Sequence, residues 1–168
     1  WRPEGGRIWS EVAIIGTALI IEFTLSGMTG ETRFGFTIPS WLLAVIALLV
    51  FSTLFWRRRF PWPVYAITLI HGVTLASVAP YYQPFTAVRL GMYGVARSKP
   101  RTQALTALFG TILVWAIFTY NTTTFDSDWT IEDGWGTPVG AFALLFGVAV
   151  AVYTYARGRR RIDEIETL

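Results

Sequence analysis

The last 30 residues of the chain, 139–168, constrain the fold more than any other stretch. Residues 139–156 are uncharged and apolar over about 18 residues, close to the length of helix that a bilayer requires. A basic cluster follows at once, beginning at Arg157, and such clusters mark the cytoplasmic end of a membrane span. The chain then continues in residues that favour helices. We therefore predict one helix that leaves the membrane and enters the cytosol.

The predicted cytoplasmic end of this helix carries a short apolar pattern. Ile162, Ile165 and Leu168 are spaced three residues apart, as at the start of a seam between paired helices. Together with Arg157, these residues are the candidates for signal output. The chain accordingly divides into a transmembrane sensor domain, residues 1–156, and the start of a cytoplasmic signalling helix, residues 157–168.

Composition agrees with a membrane environment. Hydrophobic residues make up 53% of the 168 residues and aromatic residues 16%, which is high for a soluble domain. The absence of cysteine excludes disulfides, thiolate metal sites and cysteine nucleophiles. The net charge of +3 arises from basic clusters between apolar segments. Such clusters set membrane topology, so we expect no nucleic-acid partner.

Five further apolar segments precede the last one, and the sequence predicts an all-α polytopic membrane bundle of about six transmembrane helices. The spans are expected at residues 8–25, 38–56, 62–79, 85–96, 102–120 and 139–156. Twelve of the 14 basic residues then fall on one side, which places both termini in the cytoplasm. The fourth segment covers only about 18 Å as a helix, less than a hydrocarbon core of about 30 Å. We expect it to be a short or tilted crossing that its neighbours shield.

Three ionisable residues lie well inside the predicted spans, Glu22, His71 and Arg89, and such residues point to functional sites. Arg89 cannot lose its charge, so it needs a carboxylate, backbone carbonyls or water. Glu22 lies in the same outer half of the membrane, which predicts a Glu22–Arg89 ion pair between the first and fourth spans. The alternative is that Arg89 anchors an anionic head group of a ligand.

His71 is the only histidine and lies in the middle of the third span. The simplest interpretation is a neutral imidazole that is hydrogen-bonded to a neighbouring helix. The alternatives are an axial ligand to haem, since imidazole commonly binds haem iron, and a pH-sensing role. Tyr81 and Tyr82 are nearby aromatic residues and complete the set of candidates for ligand sensing. We predict no cofactor and no metal site, with haem as the less favoured possibility.

The acidic stretch FDSDWTIED at residues 125–133 follows the fifth span. It lacks the alternating oxygen ligands and the terminal glutamate of an EF-hand loop. We expect a solvated exterior loop there; contact with a cation or a cationic peptide is the alternative.

Two stretches carry a family resemblance: RRRFPWPVYAITL at residues 57–69 and GMYGVARSKPRTQAL at residues 91–105. They resemble the membrane sensor region of actinobacterial two-component sensor histidine kinases. The resemblance implies a homodimer in the cell membrane whose last helix continues into a cytoplasmic kinase core, which would phosphorylate a response regulator. The histidine motif and nucleotide-binding boxes of that core are not in this sequence, so no catalytic residue is assigned.

Three functions are compatible with these features. The favoured one is an input domain that detects a membrane-associated or extracellular stimulus and passes it through the last helix. The alternative is a small transporter or permease subunit. The lack of an internal repeat and the presence of only one strongly polar crossing argue against it. An intramembrane enzyme comes third, because one histidine and no cysteine leave few catalytic arrangements.

Overall fold

The computed structural model describes residues 5–26, 32–79, 82–125 and 138–166. Over these ranges the chain forms six α-helices and one 3₁₀ turn, with no β-strand, so the all-helical prediction is confirmed. The helices are α1 (Gly5–Ser26), α2 (Ser40–Thr53), α3 (Pro61–Val78), α4 (Phe85–Ser98), α5 (Arg101–Phe125) and α6 (Pro138–Glu166), and the 3₁₀ turn Leu54–Trp56 follows α2. Each of the six α-helices overlaps one of the six predicted segments.

Within the described residues, two helical stretches are long and apolar enough to cross a membrane, Pro61–Val78 and Arg101–Asn121. The helix that follows Pro39, at Ser40–Trp56, is apolar but shorter. The number of membrane crossings is therefore not fixed by helix length and composition.

Prolines place the starts of these helices. Pro39 and Pro84 occupy the N-cap positions of α2 and α4, and Pro61 and Pro138 are the first residues of α3 and α6. Proline suits the first turn because its fixed φ is helical and its missing N–H would have no intrahelical partner there. The sequence boundaries consequently agree with the structure within a few residues.

The centre of the fold is α4, which packs against α1, α3, α5 and α6. Val88 and Met92 on this helix are fully buried, together with Trp115 of α5. A Cβ added at Gly72 of α3 would lie 2.7 Å from a Val88 methyl carbon and 3.1 Å from one of Val114. Glycine at this position therefore lets α3 approach α4 and α5 closely.

The short length of α4 agrees with its central position. Its 14 residues span about 21 Å. Four helices surround it, as the sequence predicts for a segment too short to cross a bilayer alone.

The outward faces of the helices are strongly apolar. Ile70 of α3 is 66% exposed and Phe109 of α5 is 70% exposed, and further large hydrophobic side chains are exposed on α1, α2 and α6. Soluble monomers rarely expose contiguous apolar surface of this kind, which is typical of contact with a membrane or with another protein.

Candidate functional site

The side chain of Glu22 on α1 caps the start of α4. Its Oε2 atom accepts hydrogen bonds from the backbone N–H groups of Thr86 and Ala87, at 3.1 and 3.2 Å, and from the Thr86 hydroxyl at 2.5 Å. Pro84, the N-cap residue of α4, makes no side-chain capping hydrogen bond. The first N–H groups of a helix lack intrahelical acceptors, and negative charge is favoured near them. Glu22, which is fully buried, supplies both the acceptor and the charge.

The other oxygen of Glu22 faces an aromatic pair. The Tyr82 hydroxyl donates to Oε1 at 3.1 Å, and His71 Nε2 lies 3.7 Å from the same atom. The His71 ring packs edge-on against the Tyr82 ring, with centroids 6.1 Å apart. His71 Nε2 is buried and makes no hydrogen bond within the described chain. The structure thus brings together three of the predicted site residues, Glu22, His71 and Tyr82, whereas Tyr81 lies outside the described residues.

The predicted direct ion pair between Glu22 and Arg89 is wrong. Arg89 instead lies above the Trp115 ring, with its guanidinium carbon 4.3 Å from the ring centroid, an arrangement that gives a cation–π attraction. Its Nε and Nη2 atoms are buried and have no hydrogen-bond partner in the part of the chain that the structure describes. The pair does not form because the start of α4 and the Tyr82 hydroxyl already occupy the Glu22 carboxylate.

A second carboxylate that the sequence interpretation missed, Glu11 of α1, joins two basic residues after α2. Arg57 Nη2 donates to Glu11 Oε2 at 2.7 Å, and Arg58 donates to the other carboxylate oxygen. Arg57 is buried, and this burial lowers the pKa of its guanidinium while the Glu11 charge raises it. The signal that could have revealed the contact is Glu11 itself, an acidic residue within the predicted first span, 8–25.

A cleft of about 850 Å³ runs between α1, α4 and α6. Its α4 wall consists of residues spaced three or four apart, so one face of the helix lines it. The lining includes Glu11, Ile14, Ala18 and Ile21 of α1, Thr86, Arg89, Leu90, Tyr93 and Arg97 of α4, Val148, Ala151, Val152 and Tyr155 of α6, and Arg57 and Arg58. Arg89 is the one predicted ligand-sensing residue among them. His71 does not line the cleft, which gives no support to a haem site there.

The far end of α6 is fixed to the link between α4 and α5. Arg157 Nη1 donates to the carbonyl oxygens of Lys99 at 3.0 Å and Ala96 at 3.4 Å, and Arg160 also donates to the Lys99 carbonyl. Beyond this point Ile162 and Ile165 are exposed. Leu168 lies outside the described residues.

Across the described ranges, no group of three or more histidine, cysteine, aspartate or glutamate side chains could hold a metal ion. The acidic residues 126–133 lie outside those ranges, so the structure does not bear on the predicted exterior loop.

Comparison with protein-family models, with curated proteins and with solved structures finds no match for this chain. The resemblance to sensor kinases therefore stays a prediction from the quoted residues.

Proposed function

We propose that this chain is the membrane input domain of a signalling protein, with six membrane-embedded helices, both termini in the cytoplasm, and α6 as the output element. The observation that carries the proposal is the continuity of α6. This single helix of 29 residues lines the cleft at Val148–Tyr155, contacts the α4–α5 link at Arg157, and ends in exposed isoleucines. A change at the cleft can thus reach the cytoplasmic end through one rigid element.

The apolar exterior supports a bilayer location for the whole bundle. Exposed hydrophobic residues cover the outward faces of α1, α2, α3, α5 and α6, and α4 is surrounded by protein. A helix of about 21 Å can be accommodated at membrane depth when its neighbours cover it. The basic residues near the proposed cytoplasmic ends agree with the proposed orientation.

The packing favours transmission through α6 over transmission through α1. The α6 helix packs against both α4 and α5, whereas α1 packs against α4 and α2. The cleft separates α1 from α6, so the spacing of these two helices can change without disrupting the α3–α4–α5 core. In the sensor kinases that the sequence resembles, such a movement would alter the activity of the cytoplasmic kinase core.

A bridging experiment tests this proposal in the full-length protein. Because these 168 residues contain no cysteine, Thr17→Cys in α1 and Ala151→Cys in α6 place the only two thiols of this region on opposite walls of the cleft. Any cysteine elsewhere in the full-length protein is first replaced by serine. Bifunctional thiol reagents of increasing length then fix the α1–α6 spacing in membrane vesicles. We expect phosphate incorporation from ATP into the cytoplasmic region to change about fivefold or more with spacer length.

The matched control replaces Ala151→Cys with Ala143→Cys, an exposed position on the same helix that does not line the cleft. Phosphorylation that is absent, or that ignores spacer length, would overturn the sensor proposal. Substrate flux across vesicles that depends on the Thr17–Ala151 bridge would favour a transporter instead.

A further inference from the structure

We propose that the cleft between α1, α4 and α6 binds one anionic phospholipid, with its phosphodiester at Arg89 and an acyl chain along the apolar walls. This site deepens the proposed function, on which it rests for the bilayer location of the bundle.

The first argument is the unsatisfied guanidinium of Arg89. A charged group inside a membrane protein is costly unless it is paired, and Arg89 lines the cleft while two of its nitrogens have no partner in the described chain. Trp115 covers one side of the guanidinium but cannot neutralise it. Glu22, the nearest candidate by sequence, already caps α4. Glu22 is close enough to attract Arg89 electrostatically, but it makes no hydrogen bond to the guanidinium. The two buried nitrogens therefore still need an acceptor, which a bound ligand can supply.

The second argument is the charge of the lining. Four arginines and one glutamate line the cleft, which gives a net charge of +3. The single acid, Glu11, already contacts Arg57 and Arg58. A cleft with this balance attracts an anionic ligand and disfavours a cationic one.

The third argument is the shape and polarity of the walls. Ile14, Ile21 and Val148 face the cleft and remain partly accessible, so the cleft opens to the side of the bundle. A lateral opening in the bilayer admits a lipid chain, whereas a soluble anion would have to cross the hydrocarbon region. The volume of about 850 Å³ lies within the range of small-molecule sites, roughly 300–1,000 Å³.

A phosphodiester fits Arg89 better than a fatty-acid carboxylate does. Guanidinium groups bind phosphate oxygens through two parallel hydrogen bonds. Burial raises the pKa of a carboxyl group and the guanidinium lowers it, whereas a phosphodiester is a much stronger acid and keeps its charge in either case. Arg97 lies about 12 Å further along the same face of α4, beyond the reach of the same phosphate.

The test measures lipid retained by the purified chain. Protein is reconstituted in nanodiscs of phosphatidylcholine and phosphatidylglycerol in equal amounts, and native mass spectrometry counts the lipids that stay bound after release. We expect one phosphatidylglycerol per chain, preferred about tenfold over phosphatidylcholine. Arg89→Gln should lower the retention of both lipids, since both carry a phosphodiester, while Arg59→Gln, which removes an exposed arginine outside the cleft, should leave retention unchanged.

A steric variant covers the case in which Arg89→Gln does not fold. Ala151→Trp fills the cleft from α6 and leaves Arg89 in place, so it should also abolish retention. Ala143→Trp adds the same ring to an exposed position on that helix and should not.

The proposal is overturned by equal retention of the two lipids, by displacement of the lipid with inorganic phosphate alone, or by a dimer that buries the cleft residues in place of lipid. Retention of phosphatidylglycerol without any effect of the Thr17–Ala151 bridge would overturn the sensor proposal and keep the lipid site. Phosphorylation that depends on the Thr17–Ala151 bridge, without retention of phosphatidylglycerol, would keep the sensor proposal and overturn the lipid site.

Discussion

Glu22 of α1 accepts a hydrogen bond from the backbone N–H of Thr86, so a carboxylate on one helix caps the N-terminus of another. The same Thr86 lines the cleft, so this contact lies between the buried Glu22 cluster and the candidate lipid site. The main role of Glu22 is therefore structural, and its replacement should lower the stability of the bundle more than it weakens ligand binding.

Replacement of Glu22 should destabilise the bundle in a graded way. Glu22→Ala leaves the Thr86 and Ala87 N–H groups without an acceptor, and each buried unsatisfied donor costs about 1–3 kcal/mol. We therefore expect a loss of at least about 2 kcal/mol for Glu22→Ala. Glu22→Gln keeps one acceptor oxygen and should lose less.

Unfolding in detergent, followed by circular dichroism, measures these losses in stability. Thr24→Ala on an exposed face of α1 is the control and should stay within about 0.5 kcal/mol. Equal and small effects of both Glu22 variants would contradict the capping role.

Glu22 and Arg89 should be coupled weakly, through electrostatic attraction without a direct contact. They make no direct ion pair, and each has a different principal contact, the start of α4 for Glu22 and the Trp115 ring for Arg89. In a double-mutant cycle of Glu22→Gln and Arg89→Gln, we expect a coupling energy of about 1 kcal/mol, in the lower part of the range for interacting residues. A coupling of several kcal/mol would restore the ion pair that the sequence suggested.

Glycine at position 72 should be required for helix packing. In Gly72→Ala the new methyl carbon would meet Val88 at 2.7 Å and Val114 at 3.1 Å. Overpacking of this kind costs about 1–3 kcal/mol and should lower the melting temperature. Gly147→Ala is the matched control, because nothing lies within 4 Å of the added carbon and alanine favours the helix. A Gly72→Ala variant as stable as wild type would contradict the close approach of α3 to α4.

His71 should not ligate haem. Its Nε2 atom lies 3.7 Å from the Glu22 carboxylate and its ring packs against Tyr82, so side chains occupy the space that an iron would need. Purified protein mixed with hemin should show no Soret band that depends on His71. A stoichiometric band that is lost in His71→Ala would make this chain a haem sensor.

The exposed end of α6 should lie at a dimer interface. Cysteines at Ile162 and Ile165 should form cross-links between chains in membranes, because both side chains are exposed and the protein has no competing thiol. Ala156→Cys on the same helix is the control, since Ala156 is fully buried against α4 and α5 residues. Failure of every position from 160 to 168 would count against a dimer through α6.

The positions of the six helices could be predicted because each helix is an apolar run, and proline or arginine often marks where such a run begins or ends. The predicted start of α4 at Phe85 is the observed one, and its end at Ala96 is short by two residues. Local patterns of this kind do not depend on how helices are arranged in space.

The partner of Glu22 could not be predicted in the same way. Reasoning from charge alone selects Arg89, yet the competing partner is a set of backbone N–H groups that a sequence does not display. One signal was present: α4 follows Pro84 without a serine, threonine, aspartate or asparagine at its N-cap position. A buried helix start without a local cap requires an acceptor from elsewhere, and Glu22 is the acid within reach.

Arg157 and Arg160 of α6 both donate to the Lys99 carbonyl, and α6 can tilt about this contact. Val152 in the cleft lies about 7.5 Å along the helix from Arg157, and Ile165 lies about 12 Å beyond it on the other side. A tilt of α6 about this contact moves Val152 and Ile165 in opposite directions, and Ile165 travels about 1.6 times as far. A ligand that pushes Val152 away from α1 would accordingly move Ile165 towards the α1 side by a larger distance.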